Sequence, residues 1–303
     1  PECHAVYDRA REIFYTHFTY LFAEQGGPIH REEVPYADGV LPCWRVMPDG
    51  ASKGTILFHG GNDSLLEEFT DALLYLAQGG YTVLAFEGPG QGATLRKSGL
   101  TFTPEWEKPV GAVLDHYGAD NVTIIGVSLG GELCMRAAAM EPRIRRVVSW
   151  SVLPSIYGAL MADKPAEIRA KLGHWLDENN RDAILDLYAG LAEREPLFRW
   201  SIQHSNYAYG TSDVYEYLQK ARAFTIEPVA ERITQDVLLL SAREDLLVDF
   251  ALYKQEIDLL KNTRSLEFAV PGRALNGQAH CNMGNTKYML DLILNWNDRM
   301  LML

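Results

Sequence analysis

Short apolar runs alternate with amphipathic stretches through the first half of this chain, and that alternation constrains the fold more than any other feature. Residues 55–58 read as a strand and are followed by a helical segment at 64–78. Residues 81–86 lead into a glycine-rich turn at 87–92, and a helical segment follows at 104–117. The run 122–125 precedes a helix at 129–140, and Val147 and Val148 begin a further strand that ends near Leu153. Brief apolar strands separated by helices build a parallel sheet covered on both faces. Two more strands precede this series, at 32–36 and 40–47, with a turn at Asp38 and Gly39. Residues 4–24 are crowded with aromatics. Tyr7, Phe14, Phe18 and Leu21 can share one helical face, which Gly26, Gly27 and Pro28 bring to an end.

The alternation stops after residue 153. Residues 154–231 read as helix after helix, most clearly at 166–176, 181–191 and 213–223. Strand character returns at 237–240 and 266–270, and a last helix is expected at 285–300. The expected organisation is an N-terminal helical segment (1–29), the first part of an α/β core (30–153), a helical cap (154–233) and the rest of the core (234–303). The 303 residues, 47% hydrophobic and 22% charged, suffice for a full core.

A formal charge of −12 repels phosphate backbones, so nucleic acid is not an expected partner. No apolar stretch reaches membrane-spanning length, and the first residues mix acids and bases where a secretory leader would be apolar. A cytoplasmic protein with no membrane contact is the expectation. Cys3, Cys43, Cys134 and Cys281 are widely spaced and form no CxxC pair, which argues for reduced thiols and against zinc. No metal or cofactor is expected.

The strongest local signal is Gly126-Val127-Ser128-Leu129-Gly130-Gly131, between an expected strand and an expected helix. In a nucleophile elbow, glycines on either side of a serine let the chain turn sharply, and the hydroxyl projects above the sheet. Elbow serines are followed in the chain by an acid and then a histidine. His280, in the loop after the last strand, is the one histidine left after the helical stretch. Glu244 and Asp245 follow the run 237–242, and either acid can reach the same edge of the sheet. Asp245 is favoured by its spacing to Val248. His280 would take the serine proton and Asp245 would orient the imidazole. Cys281, beside the histidine, is read as packing.

An oxyanion needs backbone donors. One is expected from Leu129, the residue after the nucleophile. The second is expected from Gly61 or Asn62, in the loop His59-Gly60-Gly61-Asn62-Asp63. The segment Glu87-Gly88-Pro89-Gly90-Gln91-Gly92 departs from GxGxxG, and the chain has no GK[ST]. It is read as a structural loop at the rim of the site.

These motifs, in this order, resemble the α/β-hydrolase superfamily. Phe86-Glu87-Gly88-Pro89-Gly90-Gln91-Gly92 is similar to a branch that includes 2,6-dihydropseudooxynicotine hydrolase, fungal heptaketide pigment hydrolases and fermentation-respiration switch proteins. The resemblance covers nearly the whole chain. It implies an α/β-hydrolase fold, a mostly parallel sheet flanked by helices with a helical cap inserted after strand six. It also implies hydrolysis of a small acyl or ketone substrate, by cleavage of a carbon–carbon bond next to a ketone or of an ester or amide. Acyl transfer and a non-catalytic binding module are the alternatives, and a homodimer is one expected assembly. Within the cap, Tyr157, Trp200, His204, Asn206, Tyr207 and Tyr209 would line a pocket for an aromatic or polyketide-like small molecule, or else form ordinary cap core.

Overall fold

The computed structural model describes residues 2–151 and 153–303, with side chains from His4 onward. An opening helix, α1 (Glu2–His17), leads through two short 3-10 turns into a hairpin of β1 (Ile29–Tyr36) and β2 (Gly39–Val46). Strands and helices then alternate through β3 (Thr55–His59), α2 (Thr70–Gln78), β4 (Thr82–Phe86), α3 (Gly92–Ser98), α4 (Glu107–Tyr117), β5 (Val122–Val127), α5 (Gly130–Met140) and β6 (Ile144–Trp150). Among the described residues five helices follow without a strand: α6 (Ile156–Ala162), α7 (Ala166–Asp177), α8 (Arg181–Arg194), α9 (Pro196–Tyr209) and α10 (Val214–Ala221). The sheet resumes with β7 (Asp236–Leu240), α11 (Ala251–Leu259), β8 (Ser265–Ala269) and the closing α12 (Thr286–Leu301).

The strands form one sheet in the order β1-β2-β4-β3-β5-β6-β7-β8. β2 runs antiparallel to β1 and β4, and the remaining pairs are parallel. From β3 the chain moves outward to β4 and then returns to the other side of β3 as β5. This reversal leaves a crevice at the carboxyl ends of β3 and β5, where doubly wound sheets bind ligands.

Alternate residues of the central strands feed two cores. Leu57, Leu84, Ile124, Val147 and Leu239 face α4 and α5. Ile56, Phe58, Val83, Ile125, Val148 and Leu238 face α2 and α12. All six residues of β5 are buried, as expected for a central parallel strand.

The helical insertion enters and leaves through a paired neck. Ser155 and Thr225 form an antiparallel bridge. Ile156 N–H donates to Phe224 at 3.0 Å and Ile226 N–H donates to Pro154 at 3.0 Å. Local signals divide the insertion into separate helices. Ser155, Asn180 and Asp213 accept backbone N–H bonds at the starts of α6, α8 and α10. Pro196 opens α9 and Gly210, at φ +64°, closes it.

Several element boundaries differ from the sequence expectation. The first helix stops at His17, well before residue 24. Thr16, His17, Phe18, Thr19 and Tyr20 are weak helix formers. Leaving the helix lets Phe22 bury against Trp44, ring centroids 5.5 Å apart. The hairpin turn uses Ala37 (φ +48°) and Asp38, while Gly39 already pairs with Tyr36. Gly39 lies against Ser98, whose Cβ would sit 2.4 Å from any Cβ added there. α3 and α11 are unanticipated short helices, each begun by a carboxylate on an early N–H: Glu87 with Ala93, and Asp249 with Ala251. β6 ends at Trp150, short of Leu153, and Val152 lies outside the described residues.

Cys43, Cys134 and Cys281 are free and buried, while the Cys3 side chain lies outside the described residues. No helix of the described residues is long and apolar enough to cross a membrane. Glu132 and Glu256 are fully buried carboxyls. Among the described residues neither oxygen of Glu132 has a hydrogen-bond partner. Burial raises both pKa values to about 8.

Candidate active site

β5 ends at Val127 and α5 begins at Gly130, so two residues carry the chain from strand to helix. Ser128 takes up the strain at φ +60°, a conformation that costs a non-glycine residue about 1–3 kcal/mol. Its N–H donates to the Trp150 carbonyl at 2.9 Å and its carbonyl accepts from Gly131 N–H at 2.8 Å. The turn is so tight that a Cβ on Gly126 would meet the Gly130 carbonyl oxygen at 1.9 Å. Ser128 therefore stands at the carboxyl edge of the sheet and at the positive end of α5.

Ser128, His280 and Asp245 form a hydrogen-bonded line. His280 Nε2 lies 2.9 Å from Ser128 Oγ, and Nδ1 lies 2.7 Å from Asp245 Oδ2. The other oxygen of Asp245 accepts from Leu247 and Val248 N–H at 2.8 and 3.0 Å. Glu244, the alternative acid, points outward and pairs with Arg273 at 2.5 Å.

Burial pulls the His280 pKa down, but bonding to Asp245 and the neighbouring Cys281 outweigh it and hold the pKa up at about 10. Burial pushes Asp245 upward. His280 and the two amide donors more than offset this, so its pKa lies below the ordinary value. When His280 loses its Nε2 proton, its lone pair faces the Ser128 hydroxyl, and the pair can then deprotonate the serine as it attacks.

The histidine loop is anchored by Asn282, which is 1% exposed. Its Nδ2 donates to Gly277 at 2.6 Å and Ser241 at 3.1 Å, and its Oδ1 accepts from Trp150 Nε1 at 3.2 Å. Cys281 and Asn282 both adopt positive φ, which turns the chain directly after the histidine. The buried Cys281 thiol is directed at the Trp150 carbonyl, 3.9 Å away.

Gly61 is pressed against the serine. A Cβ on it would lie 2.8 Å from Ser128 Cβ and 3.0 Å from Leu129 N. Its own N–H donates to Ser64 Oγ at 2.9 Å. Among the described residues, the backbone N–H groups of Leu129 and Asn62 donate to no protein acceptor. Of the two candidates in this loop, Asn62 thus keeps a free donor.

The 87–92 segment is not at the rim. Residues 83–95 are buried, and Gln91, 2% exposed, lies behind the glycine loop. Its Nε2 donates to the Gly60 and Gly61 carbonyls at 2.8 and 2.9 Å. His59 Nδ1 also bonds the Gly60 carbonyl at 3.1 Å, while its Nε2 accepts from Trp106 Nε1 at 3.2 Å. Full burial lowers the His59 pKa to about 4, so this ring is neutral. Gln91, Trp106 and Asn282 are site-supporting residues to which the sequence reading gave no role. The sequence signal for Gln91 is its place in the glycine-rich segment 87–92, read from sequence as a structural loop.

α9 sorts the cap candidates by face. Trp200, His204 and Tyr207 are four and three residues apart and share one side. His204 Nε2 reaches the Asn62 carbonyl at 3.1 Å. Trp200, 51% exposed, stacks on His204 with centroids 5.5 Å apart. Tyr207 lies beside His4, and Asn206 accepts from Thr211. Tyr209 is on the opposite face as a core side chain, 1% exposed among Phe102, Tyr217 and Phe224. Tyr157 lies under Arg222, its hydroxyl buried without a partner among the described residues. His204 is thus the cap candidate that touches the loop beside Ser128.

A family model described as alpha/beta hydrolase fold matches residues 56–273. Hydrolyase ccsE of Aspergillus clavatus is 30% identical over 293 residues, covering 85% of this chain and 65% of that protein. Alpha/beta hydrolase psoB of Aspergillus fumigatus is 31% identical over 217 residues, covering 64% of this chain and 48% of that protein. The chain thus spans between about half and two thirds of the length of these curated relatives. Among solved structures, 2,6-dihydroxy-pseudo-oxynicotine hydrolase is similar with a TM-score of 0.70 at 18% identity, over 97% of this chain and 73% of that one. The alpha/beta hydrolase GrgF from Penicillium sp. sh18 is similar with a TM-score of 0.64 at 15% identity, over 91% of this chain and all of that one.

Proposed function

The chain belongs to the α/β-hydrolase fold family, and we propose that it acts there as a serine hydrolase on a small acyl or ketone substrate. The observation that carries this reading is the line Asp245–His280–Ser128, with contacts of 2.7 and 2.9 Å. In the proposed reaction His280 accepts the Ser128 proton as Oγ adds to the substrate carbonyl. The backbone N–H groups of Leu129 and Asn62 stabilise the oxyanion. The protonated His280 then delivers its proton to the leaving group, and water repeats the sequence to free the acyl product. No metal or cofactor takes part in these steps.

A second reading is hydrolysis of a carbon–carbon bond beside a ketone. The FEGPGQG resemblance supports it, since it implies cleavage of such a bond or of an ester or amide. Such a reaction needs a proton for the departing carbanion. His204, bonded to the Asn62 carbonyl from the cap, is a candidate donor.

A fluorophosphonate probe tests the first reading. It is expected to label Ser128, and Ser128→Ala is expected to abolish labelling and turnover. Labelling that survives the substitution overturns it. Turnover of p-nitrophenyl esters compared with that of β-diketones and aryl ketones separates the two bond types. Fast ester turnover without ketone cleavage removes the second reading.

A further inference from the structure

We propose that Gln91 is a positioning residue of the oxyanion hole, acting on the Asn62 amide through the Gly61 carbonyl at its back. The inference rests on the reading of Ser128 as the nucleophile. A trans peptide unit is planar, with its N–H and C=O pointing in opposite directions. Holding the carbonyl therefore aims the N–H. The Gly60 carbonyl belongs to the same peptide unit as the Gly61 N–H, and the Gly61 carbonyl to the same unit as the Asn62 N–H. Gln91 Nε2 donates to both carbonyls, at 2.8 and 2.9 Å. One side chain thus sets the plane of the peptide unit that carries the free Asn62 N–H and of the unit before it, whose N–H is held by Ser64.

The carboxamide is itself fixed. Oε1 accepts from Gly88 N–H at 2.9 Å, so an amide flip would turn an oxygen toward two carbonyl oxygens and lose the Gly88 bond. At 2% exposure the head group has little access to water, and its bonds act in a medium of low dielectric. A second support converges on the Gly60 carbonyl. Trp106 donates to His59 Nε2, which leaves the proton of the neutral ring on Nδ1, bonded to Gly60. The three obvious replacements fail: ionised glutamate has no donor for the two carbonyls, lysine has no acceptor for Gly88, and asparagine is one methylene short. Gln91 does not touch the reacting atoms. Its contribution is to the direction of an amide that must already be aligned when the oxyanion forms.

The test uses p-nitrophenyl butyrate and its thiono analogue, in which a sulfur replaces the carbonyl oxygen. An aligned oxyanion hole favours the oxygen ester. In Gln91→Met, which keeps the length and removes both donors, kcat for the oxygen ester is expected to fall about 10–100-fold with KM nearly unchanged. The ratio of oxygen-ester to thiono-ester turnover is expected to fall with it, and the His280 limb of the pH profile is expected to stay in place. Trp106→Phe, which removes the donor to His59 and part of the packing on Gly88, is expected to lower the same ratio by a smaller factor and supplies the reading if Gln91→Met does not fold. A wild-type ratio in the folded variants overturns the proposal, and so does an equal loss on both esters, because general loosening would produce that. A wild-type protein that neither cleaves the ester nor takes fluorophosphonate on Ser128 overturns the underlying reading instead.

Discussion

The Trp150 indole donates to Asn282 Oδ1 at 3.2 Å and so ties the histidine loop to the end of β6. With its two carbonyl acceptors, Asn282 makes three buried bonds around His280. Asn282→Ala leaves these partners unsatisfied, at about 1–3 kcal/mol for each buried group, with incomplete additivity. The expected result is a loss of about 2–4 kcal/mol in urea unfolding and a fall in turnover of at least tenfold, measured below the unfolding transition.

The raised His280 pKa fixes the sign of a pH dependence. The imidazole must be unprotonated at Nε2 to accept the serine proton. Since its pKa is held up at about 10, kcat/KM is expected to rise with pH across the neutral and alkaline range. Asp245→Asn removes the main support for the cationic form. The limb is then expected to move to lower pH while kcat drops about 10³–10⁴-fold. Rate profiles of the two proteins on one ester check both parts.

Glu132 and Glu256 imply a separate effect on stability. Their carboxyls give up a proton near 4.5 in the unfolded chain and near 8 in the folded one. Between these values the folded state binds more protons, so stability falls as pH rises. Glu256→Gln keeps the shape and removes the titration. The variant is expected to unfold at higher urea than the wild type at pH 8.5, by about 2–4 kcal/mol, and to show a smaller difference at pH 5. Paired denaturation curves at the two pH values measure it.

His204→Ala breaks the contact between the cap and the Asn62 carbonyl. Phosphonylation of Ser128 by a small fluorophosphonate is expected to change less than threefold. Turnover of bulky aryl substrates is expected to fall about tenfold or more, since orientation from the cap matters most for them. Parallel labelling and steady-state assays separate the two.

The sequence carried the strand–helix alternation, the helical interruption and the region of Ser128, because each leaves a local mark: apolar runs, helix caps and flanking glycines. Chain order also narrowed the partners to His280 and an adjacent acid pair. Glu244 and Asp245 could be told apart only by which way each side chain leaves the loop, toward Arg273 or toward His280. The role of Gln91 was illegible for a similar reason. Its partners Gly60 and Gly61 lie about thirty residues earlier, and the contact exists only once β3 and β4 are paired. Among the cap aromatics, Tyr209 and Tyr207 are two residues apart on one helix and look alike in sequence, yet one enters the core and the other is 39% exposed.

The paired neck at Ser155 and Thr225 closes the helical insertion on itself where it leaves the sheet. Because its two ends hold each other, the distance the sheet must bridge between β6 and β7 does not depend on what lies between residues 156 and 224. Exposed side chains of these helices can change there while the edge of the sheet that carries Ser128 keeps its form, provided His204 and Tyr209 keep their contacts with Asn62 and Phe102. Substitutions on the insertion side of the neck can thus alter what the cap admits while the proposed nucleophile and its partners stay in place on the other.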